Sequence, residues 1–232
     1  AATRLGFVNF HGSLLPELRG ATPVEGALAL GLAETGVSMQ QVVRRLDAGP
    51  VHASVRTGIE PGEGRAALRA RLGLLAGELA ASAMPAVLAG TSVAVPQDEA
   101  KVTYARRLTR ADAPLDFRQP AAVLRQRILA VEGWPGSTFG HRAALIKVGA
   151  AIAEDASAAV APGTVVAADC AGVRIACGQG VLVVTQLQRP GGKMLPAGEF
   201  LAGYPLAVGE VLASAEMPAF VSDRPFPRAP KA

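Results

Sequence analysis

The chain changes its pattern of apolar residues near position 91, and this break limits the folds that are open to it. Before the break, a strand-like apolar run at residues 5–10 is followed by alternating helical and β-branched stretches. Leucines then recur at helical spacing over residues 65–88, which predicts a long amphipathic helix. After the break, short β-branched runs follow one another with glycine and proline between them. The sequence therefore predicts two domains of different class.

These patterns predict the following domain boundaries. Residues 1–90 are predicted to form an α/β domain, part of a Rossmann-like sheet with too few strands to be complete. Residues 91–100, which contain Pro96, are predicted to be an extended linker. Residues 101–213 are predicted to form a mainly β, OB-like barrel, and residues 214–232 a flexible, proline-rich tail. Because the chain lacks an initiator Met and begins almost at once with a strand, we expect that an upstream part is missing.

Composition excludes several classes of protein. The chain has 232 residues, of which 50% are hydrophobic and 18% charged, so wholesale disorder is excluded. Charged residues, glycines and prolines interrupt every apolar run, and we expect neither a membrane span nor a signal peptide. Two cysteines are too few for a disulfide scaffold and suit a reducing compartment, so a cytoplasmic location is expected.

Positive charge is concentrated in one window of the chain. The net charge is +4, but residues 101–147 hold 9 basic and 3 acidic groups, which gives 9 − 3 = +6. Such a cluster can bind phosphate backbones through counterion release. It can equally be a solvated face that keeps the protein soluble. Charge alone leaves both interpretations open.

The clearest candidate for chemistry is an Asn-x-His pair at the end of the first predicted strand. Alternate residues of a strand share a face, so Asn9 and His11 are expected to point the same way. Asn offers an amide N–H to a carbonyl oxygen, and His exchanges protons near neutral pH. Asp47, which lies 47 − 11 = 36 residues further on, is the best candidate to orient the imidazole. Its place before a glycine is also typical of ordinary turn chemistry.

The residues around this pair carry a resemblance to a known family. NFHGSLLPELRGATPV at residues 9–24, ETGVSM at 34–39 and RRLDAGPV at 44–51 resemble the core of the formyltetrahydrofolate-dependent formyltransferases. That family's pattern is Asn-x-His-x-Ser-Leu-Leu-Pro-x-x-Arg-Gly with an Asp-x-Gly turn downstream. The chain departs from the usual pattern at Gly12 and Glu17. Segments 101–117 and 162–195 are similar to the C-terminal domain of the members that act on methionyl-tRNA.

The resemblance implies roles for individual residues. The family's catalytic Asn, His and Asp correspond to Asn9, His11 and Asp47. The implied substrate- and folate-binding residues are Ser13, Leu14, Leu15, Pro16, Arg19, Gly20 and Gly49. For Ser13, Leu14 and Leu15, the alternative to direct contact with substrate is a structural role, in which they shape the wall beside the site. Arg19 is expected either to meet a substrate phosphate or carboxylate, or to be a packing element.

The resemblance also implies a reaction and its partners. The implied reaction transfers the formyl group of 10-formyltetrahydrofolate, without a metal, to the α-amine of initiator methionyl-tRNA for translation initiation. The implied tRNA contacts are Arg106, Arg107, Arg110, Arg125 and Arg127. Neither a membrane nor an obligate protein partner is expected. The family's domain has strands before the Asn-x-His strand, so we expect this chain alone to bind tRNA without catalysing transfer.

Two other functions remain open from the sequence. One is formyl transfer to a different amine, such as that of a nucleotide sugar or glycinamide ribonucleotide, which the Asn-x-His motif alone would permit. The other is a non-catalytic tRNA-binding remnant, in which the first domain is vestigial. The basic segment after residue 100 argues for tRNA over a small amine.

Overall fold

The structure is a computed structural model that describes residues 5–156 and 158–227. The chain divides into two compact units, here called unit 1 (Ala1–Arg107 with Ala219–Ala232) and unit 2 (Leu108–Pro218). The boundary therefore lies after residue 107, beyond the predicted linker at 91–100. The linker residues belong to unit 1 because Val51 and Val95 exchange two backbone hydrogen bonds of 2.8 Å.

Unit 1 contains two small sheets and two helices. Its elements are β1 (Val8–His11), β2 (Arg19–Gly20), α1 (Pro23–Leu30), β3 (Glu34–Gln41), β4 (Val51–Gly58), α2 (Arg65–Leu88), β5 (Tyr104–Ala105) and β12 (Val221–Ser222). The first sheet is antiparallel in the order β1-β3-β4, and the second has the order β12-β5-β2. Strand β3 is central in the first sheet and almost entirely buried, because it has neighbours on both sides.

Helix α2 confirms the helix predicted at residues 65–88. Leu68, Leu72, Leu79 and Val87 are its buried residues, and the helix packs on β3 and β4. By length and composition alone α2 could cross a membrane, with a hydropathy of 1.3, contrary to the sequence expectation. A single helix of this kind is weak evidence of a membrane span; 17% of its apolar window is buried, and the cations Arg65, Arg69 and Arg71 lie within the helix.

The predicted flexible tail is corrected by the structure over residues 214–227. Strand β12 pairs with β5, and Phe220 is only 2% exposed. The backbone N–H of Arg106 also donates to the carbonyl of Phe220 at 3.0 Å. Residues 228–232 of the predicted tail lie outside the described residues. Strand β12 is therefore an integral part of unit 1, because it pairs along one edge of β5.

Unit 2 is built around one large sheet. Its elements are α3 (Ala121–Ala130), β6 (Ser137–His141), β7 (Ala144–Glu154), β8 (Val165–Asp169), β9 (Gly172–Ala176), β10 (Val181–Gln188), β11 (Leu195–Pro196) and α4 (Ala197–Gly203). The strand order is β6-β7-β10-β9-β8, and β11 also pairs with β10. Within the described residues β6 and β8 do not pair and no closed barrel is found, so the predicted OB-like barrel is not shown. The sheet buries a continuous apolar cluster that includes Phe117, Ile146 and Leu182.

Candidate active site

Asn9, His11 and Asp47 line one cavity of about 470 Å³ in unit 1, here called the Asn9 cavity. Gly12 and Gly20 from the loop after β1 also line this cavity. The side chain of His11 is 6% exposed and that of Asp47 is 15% exposed. The structure therefore places the three predicted catalytic residues around one partly enclosed space, although they come from two distant parts of the sequence.

Strand pairing and a turn bring Asp47 to this position. In the register of β1 and β3, Asn9 lies opposite Gln40 and His11 opposite Ser38. The chain leaves β3 and turns back, with Asp47 in the left-handed region at φ 46°. The Gln40 amide nitrogen then donates to Asp47 Oδ1 at 3.1 Å, and the Gly20 N–H donates to Asp47 Oδ2 at 2.8 Å. Both carboxylate oxygens are thus held by donors, which orients the group toward His11.

The hydrogen bonds of His11 determine which of its nitrogens is available. Nε2 lies 2.9 Å from the carbonyl oxygen of Leu18. A carbonyl only accepts, so Nε2 carries a proton and the neutral ring has its lone pair on Nδ1. Nδ1 lies 3.7 Å from Asp47 Oδ2. His11 can therefore take up or release a proton at Nδ1 beside a carboxylate that attracts the imidazolium.

Asn9 differs from its two neighbours because its side chain is not engaged. Within the part of the chain that the structure describes, its amide group has no hydrogen-bond partner, and the residue lines the Asn9 cavity. An amide N–H that borders a cavity can donate to an oxygen of a bound substrate. Asn9 and His11 together therefore supply a donor and a proton-exchanging group on one wall.

The loop after β1 supports the site through its backbone. The Ser13 hydroxyl donates to the carbonyl of Glu17 at 2.6 Å. The Ser38 hydroxyl donates to the carbonyl of Ser13 at 2.8 Å and accepts from the Leu15 N–H at 3.0 Å. Leu14, Leu15 and Pro16 line a separate cavity of about 320 Å³. These contacts match the alternative in which this part of the loop shapes the protein around the site.

Two predicted glycines allow close approach of backbone segments. Gly20 has φ 117°, and a Cβ there would lie 2.5 Å from the carbonyl oxygen of Ala105. A Cβ on Gly49 would lie 1.6 Å from the carbonyl oxygen of Gln41. A larger residue at Gly20 would push β2 away from β5, and one at Gly49 would push the Asp47 turn away from the end of β3. The structure thus shows a backbone role for both glycines.

Arg19 is fully buried, with no exposed side-chain surface. Its Nε and Nη2 donate to Gln97 Oε1 at 3.0 and 2.7 Å, and Nη2 also pairs with Glu99 Oε1 at 2.9 Å. Hydrogen bonds from Arg19 and Arg45 hold the pKa of Glu99 below its ordinary value. Arg19 therefore serves the internal packing that the sequence left as one of its two alternatives.

Gln97 is a functional residue that the sequence analysis missed. Besides accepting from Arg19, it donates through Nε2 to the carbonyls of Asp47 and Gly49, at 2.8 and 2.7 Å. One amide thus ties the buried guanidinium to the turn that carries the carboxylate. No local pattern marks this residue, because its partners lie about 50 and 78 residues away.

One face of α2 closes the Asn9 cavity, and the sequence analysis missed it as well. Arg69, Leu72, Gly73 and Ala76 line this wall at the spacing i, i+3, i+4 and i+7. The small residues at positions 73 and 76 leave the space of the cavity unfilled along this wall. Arg69 Nη2 donates to Oε1 of the buried Glu25 at 2.6 Å, which places a cation at the cavity wall. In the sequence, Gly73 and Ala76 interrupt the leucine pattern, and this interruption could have indicated the cavity wall.

The predicted tRNA-binding arginines fall in both units. Arg106 and Arg107 belong to unit 1, whereas Arg110, Arg125 and Arg127 belong to unit 2. Arg127 is 6% exposed, and its Nη2 lies 3.0 Å from Oδ1 of the buried Asp112. Its guanidinium is occupied inside unit 2, so the structure removes Arg127 from the proposed phosphate contacts. Arg107 and Arg110 are exposed, and Arg106 and Arg125 are half-buried.

Among residues 5–156 and 158–227, no group of three or more His, Cys, Asp or Glu side chains is arranged to hold a metal ion. The two free thiols lie in unit 2, with Cys170 exposed and Cys177 buried. Burial raises the pKa of the Cys177 thiol to about 11. The titratable groups on the cavity wall are therefore His11, Asp47 and Arg69.

Comparison with known proteins places these features in a family. Residues 1–88 match the family model described as Formyl transferase, and residues 107–205 match that of the formyl transferase C-terminal domain. A methionyl-tRNA formyltransferase of Burkholderia thailandensis is 44% identical over 208 residues, which are 89% of this chain and 63% of that protein. The chain thus spans a little under two thirds of the length of that relative.

Solved structures show the same fold. HypX from Aquifex aeolicus in complex with tetrahydrofolic acid superposes with a TM-score of 0.62 and 18% identity, covering 90% of this chain and 39% of that one. Methionyl-tRNA formyltransferase from Clostridium thermocellum has a TM-score of 0.50 and 18% identity, covering 65% and 64%. The two family models together cover most of the sequence, and the chain belongs to the formyl transferase family, with an α/β fold.

Proposed function

We propose that the protein containing this chain transfers the formyl group of 10-formyltetrahydrofolate to the α-amine of initiator methionyl-tRNA. The observation that carries the proposal is the convergence of Asn9, His11 and Asp47 on one cavity. The 44% identity to a methionyl-tRNA formyltransferase supports the choice of substrate. Initiator methionyl-tRNA serves translation, so we also propose a cytoplasmic location.

The geometry supports distinct roles for the three residues. Attack of the amine on the formyl carbon forms a new C–N bond and places negative charge on the formyl oxygen. The unengaged amide of Asn9 donates to that oxygen, and removal of one such donor typically costs about 100- to 1,000-fold in rate. The C–N bond to the folate then breaks, and the proton lost by the amine passes to the folate nitrogen.

His11 carries this proton, and Asp47 stabilises the protonated ring. Nδ1 of His11 is the free ring nitrogen, because Nε2 is bonded to the Leu18 carbonyl. Nδ1 accepts the amine proton, and Asp47 Oδ2 at 3.7 Å stabilises the positive charge that results. In its protonated state His11 is a second donor for the formyl oxygen. The Gly20 N–H and Gln40 amide keep the carboxylate in place throughout.

We propose that Arg106, Arg107, Arg110 and Arg125 contact phosphates of the tRNA. Three observations support this proposal. The arginines fall in the window of +6 charge, none of them is buried, and the C-terminal family model begins at residue 107. For the open-sheet unit 2 we also propose an OB-like mode of nucleic-acid binding. The two alternative functions would be formylation of a nucleotide-linked amino sugar or tRNA binding without catalysis.

The test is a formyl-transfer assay on the chain as given and on the chain joined to the part of the Burkholderia relative that it does not match. In whichever form is active, H11A is expected to lower kcat by about two to four orders of magnitude. H52A, at a histidine of β4 that is bonded to Ser92, is the matched control and should retain the rate. A loss below tenfold in H11A would contradict the assigned role.

Substrate choice is tested in the same assay. Transfer to methionyl-tRNA with none to a nucleotide-linked amino sugar is expected. The reverse result would favour the first alternative. Binding of tRNA without transfer in either form would favour the second.

A further inference from the structure

His141 is a buried, titratable residue of unit 2 to which the proposed reaction assigns no role. It is the last residue of β6 and is 4% exposed. Its ring contacts Tyr204, directly after α4, and Glu210, in the loop that follows. We propose that these three residues, here called the His141 latch, hold the loop 205–210 against β6 while the ring is protonated and loosen it when the ring loses a proton. The inference goes beyond the proposed function and does not depend on it.

Both ring nitrogens of His141 face acceptors, which indicates that the ring carries two protons. Nε2 lies 2.7 Å from Glu210 Oε1, and an ionised carboxylate only accepts, so Nε2 is a donor. The Tyr204 hydroxyl donates to the backbone carbonyl of His141 at 3.3 Å, so its oxygen is left to accept from Nδ1, which is 2.9 Å away. Two donating nitrogens are the property of the imidazolium ion. The latch therefore fits the charged form of the ring.

The charges around the latch fit the same protonation state. The hydrogen bond from His141 holds the pKa of the Glu210 carboxyl below its ordinary value, so this group is ionised near neutral pH. Because His141 is buried and Glu210 is half-buried, the attraction between their opposite charges is less screened than at the surface. Arg142, in the turn after β6, opposes a second positive charge, and its Cζ lies 5.9 Å from the ring centroid of Tyr204. One carboxylate thus favours the imidazolium against the repulsion of one guanidinium.

Loss of one proton from His141 changes the hydrogen bonds of the latch. Nδ1 of the neutral ring is an acceptor, so the Tyr204 hydroxyl turns its proton to Nδ1 and no longer donates to the His141 carbonyl. The bond from Nε2 to Glu210 then lacks the positive charge on its donor, which weakens it. The charged latch therefore has three hydrogen bonds, and the neutral latch has two.

The loop 205–210 is the segment that depends on the latch. Its residues are exposed apart from Leu206, which is buried, and Glu210, which is half-buried. Its far end is attached to β8, because the Gly209 N–H donates to the Val165 carbonyl and the Val165 N–H donates to the Glu210 carbonyl, both at 2.8 Å. A loop with so few buried residues opens locally when one attachment is weakened. We therefore expect its backbone amides to exchange faster when the ring is neutral.

Hydrogen exchange of the chain as given, followed by mass spectrometry from about pH 5 to about pH 9, tests the latch. Rates are corrected for the intrinsic pH dependence of amide exchange, and the ionisation of His141 is followed by NMR of its ring in the same buffers. Protection of the loop 205–210 should fall about fivefold as the ring loses its proton, because one hydrogen bond is lost. Strand β9 should keep its protection. Constant protection of the loop through the ionisation of His141 would overturn the proposal.

The variant H141Q removes the ionisable ring. Glutamine is neutral at every pH, so exchange of the loop 205–210 should be fast throughout the range and independent of pH after the intrinsic correction. H52Q, at the histidine of β4 in unit 1, is the matched control and should retain the pH dependence of the loop. A loop that still responds to pH in H141Q would contradict the latch.

The variant Y204F tests the latch with a smaller change, in case H141Q does not fold, because it removes one hydroxyl and keeps the aromatic ring. The imidazolium then has a buried Nδ1–H without an acceptor, which costs more than an unused lone pair on the neutral ring. The loop should therefore loosen at a pH about one unit lower than in the unmodified chain. Y104F, at the tyrosine of β5, removes the same group from unit 1 and should leave this midpoint unchanged. An unmoved midpoint in Y204F would also overturn the proposal.

Discussion

The apolar cluster of unit 2 differs from the polar network that surrounds the candidate site of unit 1. Unit 2 surrounds its sheet with a cluster of nineteen buried residues, nearly all aliphatic or aromatic, which includes Phe117 and Phe139. Unit 1 also buries apolar side chains, such as Met39 and Leu68, and around its site it buries Arg19, Glu25 and His11. Unit 2 is held mainly by non-directional apolar burial. The site of unit 1 depends on directional hydrogen bonds that hold polar groups in one geometry.

This difference shows which part of the molecule depends on the exact geometry of its side chains. Apolar cores tolerate substitution if volume is kept, whereas a buried polar network loses its geometry when one member is removed. We therefore expect core substitutions in unit 2 to lower stability with little effect on the site. Substitutions in the network of unit 1 should affect both stability and the site.

The largest effect on stability is expected for F117A in unit 2. Phe117 is fully buried and meets Phe139 edge to face, with ring centroids 6.1 Å apart. Loss of the ring should lower the free energy of unfolding by about 3–5 kcal/mol. Urea denaturation measures this change, and V123A, at a more exposed position of α3, is the control. A change below about 1 kcal/mol would show that the apolar cluster does not hold unit 2.

A smaller loss of stability with a specific effect on the site is expected for Q97L in unit 1. Leucine is similar in size but removes the four hydrogen bonds that join Arg19 to the carbonyls of Asp47 and Gly49. We expect a loss of about 1–3 kcal/mol and a lower rate of formyl transfer, because the Asp47 turn loses its anchor.

D98N is the control for Q97L, since Asp98 is exposed and asparagine keeps its acceptor for the Ala100 N–H. Thermal melts and the transfer assay are the two measurements. A Q97L variant that loses stability but keeps the full rate would break the proposed link between the network and the site.

The smallest effect is expected for E210Q in unit 2, and its size should depend on pH. A hydrogen bond from His141 Nε2, 2.7 Å from Glu210 Oε1, holds the pKa of this carboxyl below its ordinary value of 4.5. A lowered pKa in the folded state stabilises the protein at pH values above 4.5, and the contribution is lost as pH falls through the folded-state pKa.

E210Q should therefore be less stable than the unmodified chain at pH 7, and the two should converge toward pH 3. Denaturation at pH 7, 5 and 3 measures the difference, with D155N, an exposed carboxylate of unit 2, as the control. A constant difference across this range would mean that Glu210 acts through packing, as its neighbours in the apolar cluster do.

Local pattern in the sequence determined many of the elements. The leucine spacing over residues 65–88 predicted α2 with its bounds, because helical periodicity is a property of consecutive residues. The strand-like run at 5–10 corresponds to β1 within a few residues. Alternation along β1 predicted that Asn9 and His11 share a side, since a strand has a period of two, and both residues line the Asn9 cavity.

Tertiary structure alone decided which distant groups meet. Gln97 reaches Arg19 across 78 residues, β12 pairs with β5 after 116 residues from Ala105 to Val221, and Arg127 is buried against Asp112. No local periodicity encodes these contacts, because each depends on how separate segments pack. The same limit applies to the sheet of unit 2, whose strands were visible in sequence while its open order was not. Sequence determined the elements through backbone geometry and side-chain spacing, and the long-range hydrogen bonds of the folded chain decided the site.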